Sequence, residues 1–442
     1  VTEPRIDIEV TGPETPVELP AGWRRELAKH IPKGPWFGMR LDRSGAQPRR
    51  APVRWELTGR PYQGQRATGR ADVYLSPRHR GLMRPFVFAD GFGHGPSDLP
   101  GLWRHLNKPY AKGTPGFLDQ LLEAGTDVIL LGFAARHTRV QVNAGVAIAC
   151  IQRAIAELPG SRPLTVGGVS TGGLITRYAL AELEDQHMDH RTRTYLSYDT
   201  PHNGAWIPLV LQQLAYIYEA SLPPEKGVPP RAALLRSPAA QQLLWGWVPD
   251  ATTSGPVTGN PLREQLMAEL DRMGGFPHLP EKLGVANGRG DGRGRPLPPG
   301  EVAVTYTLPG VTGMEVRFQP DRGTRQPVGH TFLGARAWHS DTSAVAPFDG
   351  APGGTLTTFG TLTDGLWLPI DGTHRVSCFV PSVSAIALEG GTTAWPDELC
   401  TDLTGLTPGR YALDAFRCDG RNSAHGSVSP TLIEWILPRL TE

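Results

Sequence analysis

LTVGGVSTGGLITRYAL, residues 164–180, sets Gly168-Val169-Ser170-Thr171-Gly172 between a short apolar run and a segment with helical periodicity. A G-x-S-x-G pentapeptide between a strand and a helix is the sequence form of a nucleophile elbow. The two outer glycines let the chain turn tightly, and strained backbone at the central residue lifts its hydroxyl clear of the sheet edge, where a base can reach it. Ser170 is therefore the candidate nucleophile. The bare pentapeptide also describes a glycine-rich turn with an incidental serine; its weight comes from the strand and helix patterns on either side.

Those patterns extend in both directions. Apolar runs at 85–89, 127–133, 164–169 and 194–198 alternate with helical periodicity at 116–124 and 141–158. Buried runs bounded by turns and separated by helices predict parallel β-α units, an α/β fold with a mostly parallel, doubly wound sheet. A further short core strand is expected at 283–286. Ahead of these units, residues 6–10, 53–57 and 71–75 alternate with period two, so residues 1–83 are expected as an antiparallel lead-in packed on the core. Residues 84–204 and 281–299 would then supply the core, with a last core part at 371–442 that includes a strand pattern at 376–388 and a closing helix at 430–440. Between them, 205–280 reads helical, with Ser237-Pro238 and Asn260-Pro261 as helix starts, and is expected as a lid over the strand ends. Residues 300–370 return to period two, loosely as far as Trp367, and predict an inserted β-rich subdomain.

Composition narrows the function class. With 442 residues the chain exceeds the ~100–200 residues of one domain. Lys plus Arg is 44 against 43 Asp plus Glu, so charge does not argue for a nucleic-acid partner or an acidic membrane surface, and small or neutral ligands fit better. The 39% hydrophobic content and 11 tryptophans argue against disorder despite 53 glycines and 43 prolines. Cys150, Cys378, Cys400 and Cys418 include no C-x-x-C pair, and no metal site is expected; Cys400 and Cys418 form a possible pair in an oxidising compartment. No basic leader with an apolar core precedes residue 20, and no apolar run of about 18 residues occurs. The expectation is a soluble chain without an integral membrane segment, cytoplasmic in preference to secreted. Nothing in the composition speaks to its oligomeric state.

A serine nucleophile needs a base, an acid that orients the base, and donors for an oxyanion. Among 13 histidines, His425 follows the nucleophile late in the chain, on the turn Asn422-Ser423-Ala424-His425-Gly426, just before the apolar positions of the terminal helix. It is preferred to His374, whose neighbours suggest the start of a strand. Near the front of the core, Phe86-Val87-Phe88-Ala89-Asp90-Gly91-Phe92-Gly93 runs from a strand into a glycine-rich loop. Backbone N–H groups of such a loop and of the residue after the nucleophile form an oxyanion hole, here Phe92 and Thr171. The acid has two candidates: Asp199 directly at the end of the strand after the elbow, which is preferred because a strand end holds a carboxylate firmly, and Asp291 in a run of glycines. Arg289-Gly290-Asp291 is also an integrin-type tripeptide, too short to carry a reading. His187-Met188-Asp189-His190 offers metal-ligand atoms in a polar loop where nothing fixes their geometry. The apolar excess of residues 205–276, Trp206 and Trp245 foremost, suggests a pocket for an apolar acyl or aromatic group; His202 is placed beside that pocket, with a turn-shaping role as its alternative.

GGVSTGGLITRYAL followed by YLSYDTPHNGAWIPL resembles the lipase and esterase branch of the α/β-hydrolase superfamily, where a G-x-S-x-G-G-L elbow precedes a Thr-Pro-His-x-Gly type segment. The likeness is strongest over 84–220, faint at 283–292 and 376–437, and absent from the first 80 residues and from 300–370. It implies a doubly wound sheet, no cofactor, and Ser170 as the acylated residue. Two departures stand out: Asp90 where many lipases carry the first histidine of His-Gly-x-Gly, and Asp199 where many carry Gly or Ala. The expected activity is hydrolysis of a carboxylic ester, lipid-like, aryl or lactone. Acyl transfer, or opening or closing a lactone, would use the same residues. A non-catalytic binding protein on a hydrolase fold is the alternative from another class.

Overall fold

Fully buried runs become the centre of the main sheet. The computed structural model describes residues 3–12, 19–366, 368, 370–389 and 395–441. In chain order its strands are β1 (Arg5–Thr11), β2 (Val53–Thr58), β3 (Thr68–Tyr74), β4 (Pro85–Ala89), β5 (Asp127–Phe133), β6 (Leu164–Val169), β7 (Thr192–Tyr198) and β8 (Gly255–Pro256). They continue with β9 (Glu281–Arg289), β10 (Val302–Leu308), β11 (Thr312–Arg317), β12 (Gln326–Leu333), β13 (Arg336–Ser343), β14 (Gly353–Leu356), β15 (Ser377–Pro381) and β16 (Ala415–Asp419).

Eight strands form one sheet in the order β2-β3-β5-β4-β6-β7-β9-β16. β3 runs antiparallel to both its neighbours, and every other pairing in this sheet is parallel. Successive side chains on a strand point to opposite faces. Phe86, Phe88, Val128, Leu130, Leu196 and Tyr198 pack beneath one face with helices Leu99–Leu106, Phe117–Glu123 and Pro430–Thr441. Val87, Ala89, Ile129, Leu131 and Val166 pack on the other, under helices Val140–Glu157 and Thr171–Asp185. Burial on both faces is why β4, β5 and β6 read as near-continuous apolar runs.

A second, antiparallel sheet has the order β10-β11-β12-β13-β1-β8. Residues expected as one lead-in are thus divided. β1 pairs with β13, Ile6 opposite Thr342 and Val10 opposite Trp338, while β2 and β3 join the main sheet. Period two marks a half-buried strand but cannot name its sheet. The pattern at 376–388 is not a main-sheet strand: β15 pairs only with β14, and a short helix, Ser382–Ala385, follows it. The last parallel strand is β16, an edge strand with one buried residue in five, too polar to stand out as a core run. Trp367, where the β-rich pattern was traced to, lies outside the described residues.

Between β7 and β9 run helices Leu209–Ser221, Pro238–Leu243 and Pro261–Arg272. Both expected helix starts are capped: Ser237 Oγ accepts the Ala240 N–H at 3.2 Å, and Asn260 Oδ1 accepts the Leu262 N–H at 2.9 Å. No described helix is long and apolar enough to cross a membrane.

Candidate active site

Parallel strands carry the site at their C-terminal ends. β6 ends at Val169, and Ser170 follows with φ 56° and ψ −128°, a region costly for a side-chain-bearing residue. Neither Gly168 nor Gly172 has a positive φ, so the strain sits on the serine itself. The glycines serve close approach: a Cβ on Gly168 would strike the Gly172 backbone, and one on Gly172 would strike the Ala89 carbonyl. The Ser170 N–H donates to the Tyr198 carbonyl at 2.9 Å, which ties the turn to the next strand. Ser170 is 2% exposed.

Asp199 begins the turn after β7, itself at a φ of 48°, fully buried. Its Oδ2 lies 2.6 Å from His425 Nδ1, and its Oδ1 accepts the Asn287 N–H at 3.0 Å. A carboxylate accepts, so His425 carries its proton on Nδ1 and presents the Nε2 lone pair. That Nε2 is buried and has no hydrogen-bond partner among the described residues. The Phe379 ring stands edge-on against the imidazole at 4.9 Å, and a Cβ on Gly426 would fall 3.0 Å from Val169 Cγ2, so the histidine loop closes over the residue preceding Ser170. No direct hydrogen bond joins His425 to Ser170; such bonds tighten in many enzymes only when substrate is bound.

The loop after β4 crosses directly over the serine, since a Cβ on Gly91 would lie 2.9 Å from Ser170 Cβ. Asp90 is fully buried, and burial raises its pKa. Its Oδ1 accepts the Gly91 N–H at 2.8 Å, and Arg136 approaches Oδ2 at 3.5 Å while donating to the His94 carbonyl at 3.2 Å. The loop is therefore held from inside by a buried carboxyl and the partly buried guanidinium beside it. Phe92 N–H and Thr171 N–H have no partner among the described residues, the latter because the first N–H groups of a helix have none within it.

Phe92, Phe37, Ile207, Leu243, Leu244 and Phe379 are among the side chains lining a narrow apolar cavity beside this loop. Trp206 and His202, expected at the pocket, are placed elsewhere. Trp206 is fully buried, stacks on Phe348 at 4.5 Å and donates its Nε1–H to Asp349 Oδ1 at 2.7 Å. His202 accepts from Arg177 at Nδ1 (3.2 Å), which leaves Nε2–H to donate to Ser197 Oγ (2.8 Å); burial, and then Arg177, push its pKa well down. Trp245 sits in the same aromatic cluster as Trp206, on the side of a wider cleft shared with Arg263 and Met267.

Asp291 makes no hydrogen bond or ion pair with His425. It pairs with Arg289, whose hydrogen bonds hold its carboxyl down at about 2. His374 packs edge-on against Phe318. His190 is engaged at both ring nitrogens, by Glu184 and by the Thr192 N–H. All four cysteines are free thiols, Cys400 and Cys418 included.

Two residues around the imidazole have no marker in the sequence. His105 Nδ1 accepts the Asp42 N–H at 2.9 Å, so its Nε2–H donates to the Gly426 carbonyl at 2.8 Å; burial lowers its pKa and keeps it neutral. Asn287, near the end of β9, bonds to Asp199 and to the loop on either side of His425, at Ser423 before it and Gly426 and Ser427 after it. An asparagine among glycines after a strand reads as a turn former, and only the sheet order brings it here.

No family model matches the sequence, and no curated protein matches it. Solved structures that align with it include lipases and esterases of the α/β-hydrolase superfamily. The mature form of the Bacillus licheniformis lipase BlEst2 is 14% identical, with 52% of this chain and 71% of that one covered and a TM-score of 0.28. EstE1, a thermophilic carboxylesterase cloned from a metagenomic library, is 12% identical over 55% and 70% of the two chains, at 0.31. A hyperthermophilic esterase from the archaeon Pyrobaculum calidifontis is 12% identical over 60% and 70%, at 0.30. Likeness this remote leaves the function to be judged from the residues of the site.

Proposed function

We propose that the chain is a serine hydrolase that cleaves a carboxylic ester through an acyl-enzyme. The observation that carries this reading is the 2.6 Å His425–Asp199 pair, with an unpartnered, buried Nε2 on a loop packed against Val169, the residue that precedes a serine on a strained elbow. Ser170 Oγ attacks the ester carbonyl as its proton moves to His425 Nε2. Asp199 orients the imidazole and stabilises the imidazolium that forms. Charge on the tetrahedral oxygen meets Phe92 N–H and Thr171 N–H. Collapse releases the alcohol, which takes the proton from Nε2. Water, activated by the same nitrogen, then frees the acid and restores the serine.

In this reading residues 205–280 act as a lid, and 300–370 as an inserted β-rich unit that β1 completes. The narrow cavity along Phe92, Ile207, Leu243 and Phe379, which as it stands has room for little more than a water, would widen to receive the acyl or aryl group, a role first expected of Trp206, Trp245 and His202. Acyl transfer to an alcohol, or lactone opening or closing, is the second reading. The 2% exposure of Ser170 favours it, because excluding water protects an acyl-enzyme for another acceptor.

A fluorophosphonate probe tests the proposal. Wild-type protein should be labelled at Ser170, and Ser170→Ala should lose both labelling and turnover of a short-chain aryl ester. A folded wild type that stays unlabelled would point instead to a binding protein on a hydrolase fold. Adding a primary alcohol to the assay separates the two chemistries: a hydrolase yields mainly free acid, a transferase mainly the new ester.

A further inference from the structure

We infer that Asn287 is the positioning residue that couples acid to base in this site, an assignment that rests on the serine hydrolase reading. Sheet order creates the need for it. Asp199 follows β7 and the His425 loop follows β16, but β9 lies between those two strands. A residue at the end of β9 is therefore placed between the acid and the base loop along the sheet edge.

Asn287 stands there, fully buried, with each of its four kinds of hydrogen-bonding group engaged. Its N–H donates to Asp199 Oδ1 at 3.0 Å. Its carbonyl accepts the Ser423 N–H at 2.8 Å. Its Oδ1 accepts the Gly426 N–H at 2.8 Å, and its Nδ2 donates to the Ser427 carbonyl at 2.8 Å. The loop is thus gripped two residues before His425, one after it and two after it, by the residue that also holds the acid. The Tyr198 hydroxyl, from the last residue of β7 and directly before Asp199, donates to the same Ser427 carbonyl at 2.8 Å. A carboxamide is required, because one end must accept and the other donate. Asp291, four positions on, is turned away to Arg289, so the end of β9 contributes an amide where a second carboxylate could have stood.

Asn287→Ala would keep both main-chain bonds and lose all three side-chain bonds, to the Gly426 N–H and to the Ser427 carbonyl and hydroxyl, leaving Asp199 fixed and the His425 loop free to shift. A displacement of about 1 Å in a catalytic group costs up to about 10²-fold in rate. We expect kcat to fall about 10- to 100-fold with KM within about twofold, and fluorophosphonate labelling of Ser170 to slow in step. Proton NMR gives a readout independent of turnover. The far-downfield resonance of the Nδ1–H between His425 and Asp199, assigned by its loss in His425→Ala, should broaden or move upfield in Asn287→Ala while circular dichroism stays native. A native-like resonance together with wild-type labelling in folded Asn287→Ala would overturn the inference. If that variant does not fold, the near-isosteric Asn287→Asp answers instead, since it fills the same space but lacks the donor to Ser427; an unchanged kcat there shows that Asn287 only fills space. An unlabelled wild type would sink the hydrolase reading, and the NMR comparison would still decide whether Asn287 holds the pair.

Discussion

His425 makes a 2.6 Å contact with Asp199 that leaves a single ring nitrogen to do chemistry, so the two side chains should fail together under mutation. His425→Ala and Asp199→Asn are each expected to lower kcat by on the order of 10⁴- to 10⁶-fold, as members of such a triad do, and a double variant should be little worse than either single one. Asp291→Asn should stay within about twofold of wild type, because its carboxylate is spent on Arg289. Steady-state kinetics on an aryl ester checks all of these, and a crippled Asp291→Asn beside an active Asp199→Asn would reverse the assignment of the acid. The elbow could be read from the sequence because backbone geometry there demands small neighbours, and glycines at 168 and 172 are visible as letters. Asn287 and His105 could not be read, since each works through main-chain groups of a loop that lies more than a hundred residues away.

Trp206 shows how an element junction can be taken for a pocket wall. A tryptophan just before a helix in an apolar-rich segment suggests a binding surface; here its N–H donates to the Phe379 carbonyl, its ring stacks on Phe348 and its indole N–H meets Asp349. Trp206→Ala should therefore cost about 3–5 kcal/mol in stability, the range for buried aromatic truncations, and affect small and large esters alike. Asp349 is buried, and burial lifts its pKa to about 6, partly offset by the Gln319 N–H and Trp206. A raised carboxyl pKa favours the protonated form in the folded state. Its contribution is therefore complete below the unfolded value near 4 and is lost as pH rises through about 6, a change of about 3 kcal/mol. Urea unfolding at pH 4 and pH 7 should show that loss in the wild type and not in Asp349→Asn; parallel pH dependence in the two proteins would exclude it. Elements themselves were legible in proportion to their burial. β4, β5 and β6 match their apolar runs, whereas β9 extends through Asn287 to Arg289 beyond the apolar part of its run, and β16, half exposed at the edge, left no pattern to find.

At the scale of the whole molecule, the candidate site is shut: Ser170, His425 and Asp199 are all 3% exposed or less. On the proposed reading of residues 205–280 as a lid, substrate enters by displacing it, and what fastens that segment should set how fast. Helix Pro238–Leu243, whose Ala240 and Leu243 line the apolar cavity, leans on helix Pro261–Arg272. Beside the bonds of Arg263 and Arg272, that second helix is anchored through one carboxylate that gathers several donors. Glu269 accepts from the Tyr62 hydroxyl at 2.6 Å, the Tyr178 hydroxyl at 2.9 Å, and the amides of Gln265 and Gln141 at 3.1 and 3.2 Å. Tyr62 belongs to the turn between β2 and β3, Tyr178 and Gln141 to the two helices on that face of the main sheet, so a single side chain ties the cover to three parts of the core. Hydrogen bonds to a charged group contribute about 1.5–3 kcal/mol each, and Glu269→Ala would release all four at once. The melting temperature should fall by several degrees. Opening should become easier in the same variant, so labelling of Ser170 by a bulky, dye-linked fluorophosphonate should accelerate more than labelling by a small dialkyl one. The ratio of the two rates is the measurement, because it cancels any general loss of folded protein. A ratio equal to that of the wild type, with the melting temperature lowered, would mean that Glu269 braces the fold without gating the site.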